Sequence, residues 1–237
     1  MPTEALYHTD SYLREMDATV TAVDGNRVAL DRTVFYAQSG GQPSDKGALS
    51  WEGGSANVVS VRREGDDIWH ELEGPVPPVG ATVHGTLDWE RRYALMKAHT
   101  ALHVLCGVIW RDFGAKVTGG AMDIGNARMD FELEHMNASF AADVEKRINA
   151  EIDSNRNVKV RFASREEAFS NPDLIRTKIN LLPEGIQVVR LVEIEGLDLQ
   201  ADGGTHVART AEVGQIRITG HESKGRINKR LRLALDV

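Results

Sequence analysis

The sequence predicts an α+β protein: a β-rich, barrel-like N-terminal domain over residues 1–88, then a mixed α+β domain over residues 89–237 that opens on a long helix. Three observations carry that prediction. Residues 18–87 alternate apolar and polar positions around short turns, the period of half-buried strands. At Asp88 the texture changes to WERRYALMKAHTALHVLCGVIW, which has no proline and no glycine before Gly107. From Gln187 onward strand-like segments return after two helical stretches, which makes the second half mixed.

Taken in order, ATVTAVDGNRVAL predicts a hairpin around Asp24-Gly25-Asn26, and SANVVSVRREGDDIWHEL a second around Glu64-Gly65-Asp66. Between them lies a glycine-rich loop from Ser39 to Gly47. GPVPPVG, residues 74–80, is a stiff loop, and ATVHGTLDW adds a strand. The helix that follows has Asp88 as N-cap and places Leu95, Ala98, Leu102, Leu105 and Ile109 at helical spacing. KVTGGAMDIGNARMDFEL reads as a strand pair turning at Ile124-Gly125-Asn126. Residues 138–156 read as a helix with Phe140, Val144, Ile148 and Ile152 on one face. VKVRFA is a strand, and EEAFSN a short helix.

Composition narrows the class. With 237 residues, 41% of them hydrophobic and 27% charged, the chain reads as soluble and globular. The strongest apolar run, Leu102–Trp110, is far short of the ~20 residues a membrane span needs. MPTEALYHTDSYLREMD lacks the basic and apolar regions of a secretory signal. The single Cys106 excludes an internal disulfide and fits a reducing cytoplasm, so the Asn137-Ala138-Ser139 sequon carries no meaning there. A net charge of −7 argues against nucleic-acid binding through bulk charge. It hides a local exception: KGRINKRLR holds Lys224, Arg226, Lys229, Arg230 and Arg232 with no acid among them. Counterion release at phosphates needs a local basic patch, although a solvated edge strand reads the same way.

Two short stretches carry the chemistry. In HTALH, His99 and His103 stand four apart on one helix face, so both imidazoles can reach one cation. Thr100 stands where HExxH would need its glutamate, which excludes the zincin motif. In ADGGTHV, Asp202 and His206 flank two glycines that let the turn close until their side chains converge. Three imidazoles and a carboxylate make a tetrahedral set suited to Zn²⁺. A capped turn with two ordinary histidines is the alternative. Cys106, seven after His99, could substitute as a ligand or simply be core.

HTALH after Arg92 and Met96, with GGTHV about a hundred residues later, resembles the editing domain of alanyl-tRNA synthetase. FYAQSGGQPSDKG, residues 35–47, is similar to that domain's glycine-rich loop, and the likeness runs from about residue 18 to the end. At this length there is no room for aminoacylation and tRNA-recognition modules, so the resemblance is to freestanding AlaX-type editing proteins of the medium-length class. The family usually has Cys at the first position of CGGTH, where this chain has Asp202. A carboxylate is a harder and weaker zinc ligand, which makes Asp202 the least certain member of the set.

The resemblance implies hydrolysis of serine, or glycine, wrongly esterified to tRNA(Ala), with one zinc ion held by His99, His103, Asp202 and His206. It implies an editing pocket involving Gln42, with Gly40 and Gly41 letting backbone amides approach the substrate, and Thr33 recognising the serine hydroxyl. Apart from the resemblance, the loop reads as a purely structural glycine-rich turn, with Asp45 as its cap. Lys224, Arg226, Lys229 and Arg230, assisted by Arg91 and Arg92, are candidates for acceptor-stem phosphates. No membrane and no stable protein partner are implied. The rivals are editing of Ser-tRNA(Thr), and a tRNA-binding module that has lost catalysis.

Overall fold

The computed structural model describes residues 2–170, 174 and 187–236. The chain divides into two compact units, Met1–Tyr93 and Ala94–Val237, where the sequence placed the division at residue 88. The described protein is mixed α+β and sheet-rich. Among its described residues no helix is long and apolar enough to cross a membrane.

The first unit is a closed six-stranded barrel. Its strands, with two short additions, are β1 (Glu4–Ala5), β2 (Glu15–Asp24), β3 (Arg27–Leu30), β4 (Arg32–Thr33), β5 (Gly47–Trp51), β6 (Gly54–Glu64), β7 (Asp67–Glu73) and β8 (Thr82–Leu87). The barrel runs in the order β2-β3-β7-β6-β5-β8 and closes β8 on β2, while β1 pairs parallel to β4 outside it. Alternation does the sorting. Along β2, Met16, Ala18 and Val20 turn inward while their neighbours face water. They meet Val28, Leu30, Leu49, Val58, Val61, Ile68, Leu72 and Val83 in one core. Both predicted hairpins form at the predicted turns, at Gly25 and Gly65. β5 begins at Gly47, which the sequence placed in the loop; it is short, and its apolar pattern is interrupted by Ser50.

The second unit holds most of helix α1 (Trp89–Phe113), then β9 (Val117–Asp123), β10 (Asn126–Glu132), α2 (Ala138–Asp153), β11 (Val158–Ser164), α3 (Arg165–Ser170), β12 (Val188–Ile194), β13 (Asp198–Ala201), β14 (Ile216–Gly225) and β15 (Asn228–Leu235). Two antiparallel sheets form, β14-β15-β10-β9 and β11-β12-β13. The amphipathic α2 buries Ala141, Val144, Ile148 and Ile152. Burial of each large side chain there stabilises by about 1.5–3 kcal/mol. Its Asn149 fixes it to β14 by exchanging two hydrogen bonds with Ile216. Asn137, the asparagine of the sequon, is the N-cap of α2 and accepts from the Phe140 amide. The short helix expected over EEAFSN is α3; its last residue, Asn171, lies outside the described residues.

One contact places the site. A Cβ added to Gly107 on α1 would stand 2.8 Å from Leu197 Cγ and 3.2 Å from Asp198 Cβ, so only glycine lets the start of β13 come this close to the helix.

Candidate metal centre

α1 presents His99 and His103 on one face, with ring centroids 5.1 Å apart. β13 ends at Ala201, and the turn that follows returns His206 onto the same spot. Its ring stacks on His99 at 4.2 Å and meets His103 edge-on at 4.6 Å. Asp202 sits among them. Its Oδ1 lies 3.6 Å from His99 Nε2 and its Oδ2 3.0 Å from His206 Nε2. The Gly204 amide donates to Oδ2 at 2.7 Å, so the second glycine of the turn holds the carboxylate in place. One ligand atom from each of His99, His103, Asp202 and His206 lies within 4.8 Å of the others. The convergence expected from the two four-residue spacings is present.

Burial sets the protonation. It pushes the His206 pKa down to about 4, against the opposing pull of Asp202, and holds His99 well below its usual value. Burial alone would raise the Asp202 carboxyl; the neighbouring His99 and the hydrogen bond from His206 outweigh it and keep it well below the usual carboxylate range. Neutral imidazoles beside an ionised carboxylate are the forms that bind a divalent cation. The donor set therefore fits zinc in number, type and charge.

Around these four lies a further set the sequence reading missed. Asp198 Oδ2 stands 3.0 Å from His103 Nδ1 and accepts from Gln200 Nε2 at 2.7 Å. Thr100 Oγ1 is 3.2 Å from His206 Nδ1 and accepts from the Val207 amide. Arg190 Nη1 donates to the Asp202 carbonyl at 2.8 Å. A signal for part of this was available: in DLQAD, Asp198, Gln200 and Asp202 alternate, and so share one side of an extended strand. Cys106 stands outside the four-residue group; it is buried, and its sulfur receives Gln200 Nε2 at 3.3 Å.

The other expected site residues belong to different settings. Gly40 and Gly41 take φ of 57° and 85°, two consecutive left-handed residues that close a tight turn between Ser39 and Gln42. Gln42 is buried. Thr33 has no exposed surface; its hydroxyl pairs with His70 Nε2 at 2.8 Å and accepts from the Phe35 amide.

Three of the residues expected to contact phosphates have partners inside the fold. Arg92 is fully buried and paired with Asp45, and it also donates to the Val34 and Ser11 carbonyls. Asp45 is thus a buried ion-pair partner that also receives the Tyr36 amide, and more than a turn cap. Arg230 forks onto Asp130 through Nε at 2.6 Å and Nη2 at 2.7 Å. Lys229 is buried, with Nζ donating to the Gly225 and Arg226 carbonyls. Arg92 and Arg230 were indistinguishable from surface charge in the sequence because their acidic partners are remote in it, whereas Lys229 folds back onto carbonyls of its own hairpin. Arg91 binds the Ser44 carbonyl. Lys224 and Arg226 are exposed at the β14–β15 turn, Lys224 paired with Glu222 at 2.9 Å.

Residues 6–91 match the family described as tRNA synthetases class II (A), and residues 189–232 match the threonyl and alanyl tRNA synthetase second additional domain. The chain is 41% identical to the alanyl-tRNA editing protein AlaX-M of Methanosarcina barkeri, over 98% of this chain and 99% of that one. It is 39% identical to AlaX-M of Saccharolobus solfataricus, over 97% of each. Against the alanine–tRNA ligase of Pyrobaculum arsenaticum it is 40% identical over 91% of this chain, but that stretch is 25% of the ligase.

Proposed function

This chain belongs to the AlaX-M family of alanyl-tRNA editing proteins, and on that premise we propose that it is a freestanding, metal-dependent hydrolase that removes serine or glycine from mischarged tRNA(Ala). The need is physical. A synthetase pocket shaped for alanine discriminates weakly against one methyl fewer or one hydroxyl more, so a second, hydrolytic site raises fidelity.

The observation that supports metal dependence is the convergence of His99, His103, Asp202 and His206 within 4.8 Å. Zinc bound there would supply a Lewis acid for the ester or an anchor for the substrate's amino group. The chain's own residues do the rest. Burial keeps His99 and His206 neutral, and the Gly204 amide fixes the carboxylate. All three histidines and Thr205 are buried, while Asp202 keeps part of its side chain at the surface. Lys224 and Arg226, exposed at the β14–β15 turn, are the candidates for backbone phosphates, a contact that positions RNA more than it specifies it.

The test is the hydrolysis rate of Ser-tRNA(Ala) beside Ala-tRNA(Ala), with untreated and chelator-stripped protein. Loss of serine alone, abolished by stripping and restored by zinc, is the expected outcome. A second reading, editing of Ser-tRNA(Thr), is favoured by the match of residues 189–232 to a domain shared by threonyl and alanyl synthetases. Including Ser-tRNA(Thr) as a third substrate separates the two. Binding of tRNA with no hydrolysis of any of the three by zinc-loaded protein would identify a binding module.

A further inference from the structure

We infer that Asp198 is the positioning residue of the metal centre: through its contact with His103 it fixes which ring nitrogen of that histidine faces the cation, and Gln200 holds Asp198 for the task. This rests on the metal-dependent reading above and adds to it a residue outside the four ligands.

The geometry has three parts. His103 Nδ1 lies 3.0 Å from Asp198 Oδ2, so a carboxylate, which only accepts, places the ring proton on Nδ1 and leaves the Nε2 lone pair toward the cluster. The carboxylate is itself held, since Gln200 Nε2 donates to the same Oδ2 at 2.7 Å and also reaches Cys106 Sγ at 3.3 Å. The Asp198 side chain is fully buried, so water does not compete for His103. The other imidazoles agree in sense. His206 gives Nδ1 to Thr100 and Nε2 to the Asp202 side, and His99 turns Nε2 toward Asp202. Nε2 faces inward at each histidine.

The two outer contacts differ in kind. Thr100 is a neutral hydroxyl, whereas Asp198 is a carboxylate, and a carboxylate behind an imidazole strengthens that imidazole as a donor to a metal. His103 is thereby a stronger nitrogen ligand than His206. In a site whose fourth corner is a carboxylate instead of a thiolate, that support compensates for a weaker ligand.

The test compares zinc affinity of the parent and Asp198→Asn, by competition with a chromophoric chelator, and the thermal midpoint of each in metal-free form. Removal of an outer-shell partner typically weakens binding by about 10–100-fold, and that is the loss expected here. Asp198→Asn keeps the size of the side chain, so a purely structural role would move the metal-free midpoint and leave affinity alone. Unchanged affinity in a folded Asp198→Asn variant overturns the inference. Nitrogen-15 spectra of histidine-labelled parent protein decide it even if the variant does not fold. With zinc, His103 is expected to keep its Nδ1 proton and show the metal shift at Nε2; a metal shift at Nδ1 overturns the assignment. A parent that takes up no zinc removes the metal reading and this inference together, whereas a zinc-binding parent with an indifferent variant removes the inference alone.

Discussion

The barrel's buried polar pairs and the second unit's metal cluster are built in different ways. In the barrel unit, donors meet acceptors inside the fold. Asp45 and Arg92 close on each other with no exposure of either side chain, and Thr33 and His70 do the same at 2.8 Å. In the second unit, three imidazoles and a carboxylate bring one possible ligand atom each within 4.8 Å of the others. His99 and His206 stack at 4.2 Å, although both rings are polar and buried. A cluster balanced in donors and acceptors completes itself and acts as core. A cluster of ring nitrogens and a carboxylate crowded at one point is the kind that a cation completes. Balance, more than burial or charge alone, separates a structural polar group from a site.

The comparison can be broken at either end. The largest effect belongs to the barrel. Arg92→Met leaves Asp45 buried and unpaired, and is expected to cost about 3–5 kcal/mol in denaturant unfolding of the barrel unit. Adding Asp45→Leu should recover part of that loss. A single-variant cost below about 1 kcal/mol, the range of exposed pairs, would show that this pair is not self-contained.

Acidification comes next. In the folded barrel burial holds His70 neutral down to about pH 4, whereas the unfolded chain takes up the proton near 6.5. Between those values the unfolded state binds more protons, so the contribution is complete above pH 6.5 and is lost as pH falls toward 4. The loss is on the order of 3 kcal/mol, read as the fall in barrel stability between pH 7 and 4, and His70→Gln should flatten that slope. The same slope in the variant would place the acid sensitivity elsewhere.

For the second unit, Asp202→Cys is expected to tighten zinc binding by about tenfold, ~1.4 kcal/mol, in chelator competition. Weaker binding would mean that the Gly204 amide and the Arg190 contacts are tuned to a carboxylate. The smallest effect serves as the reference for ordinary helix stability: Asn137→Ala, which removes the N-cap of α2, should cost about 1 kcal/mol without altering metal affinity.

Much of the second unit's site was legible because its spacings are local. Two histidines one helical turn apart, and a carboxylate and a histidine across two glycines, must each converge whatever the rest of the chain does. The barrel hairpins were legible for the same reason: turn residues and alternation act within about ten residues. What was not legible depends on remote partners. Arg92 and Arg230 read as surface cations until Asp45 and Asp130 arrive from 47 and 100 residues away. The Thr33–His70 pair was out of view for the same reason, since its members stand 37 residues apart. Asp198 was overlooked because it lies in the strand, outside the turn motif that drew the eye.

Gly107 gives the metal unit its stiffness. Where helix and strand meet through long side chains, a small displacement is absorbed by rotamers before it reaches anything else. Here a Cβ on the helix would stand 2.8 Å from Leu197 Cγ and 3.1 Å from the Leu197 carbonyl oxygen, one turn beyond His103 and beside the residue that braces it. The spacing of helix and strand near the centre is thus set partly by backbone. Gly107→Ala would ask the Leu197 side chain to give way first, and its carbonyl, which belongs to the main chain, after it.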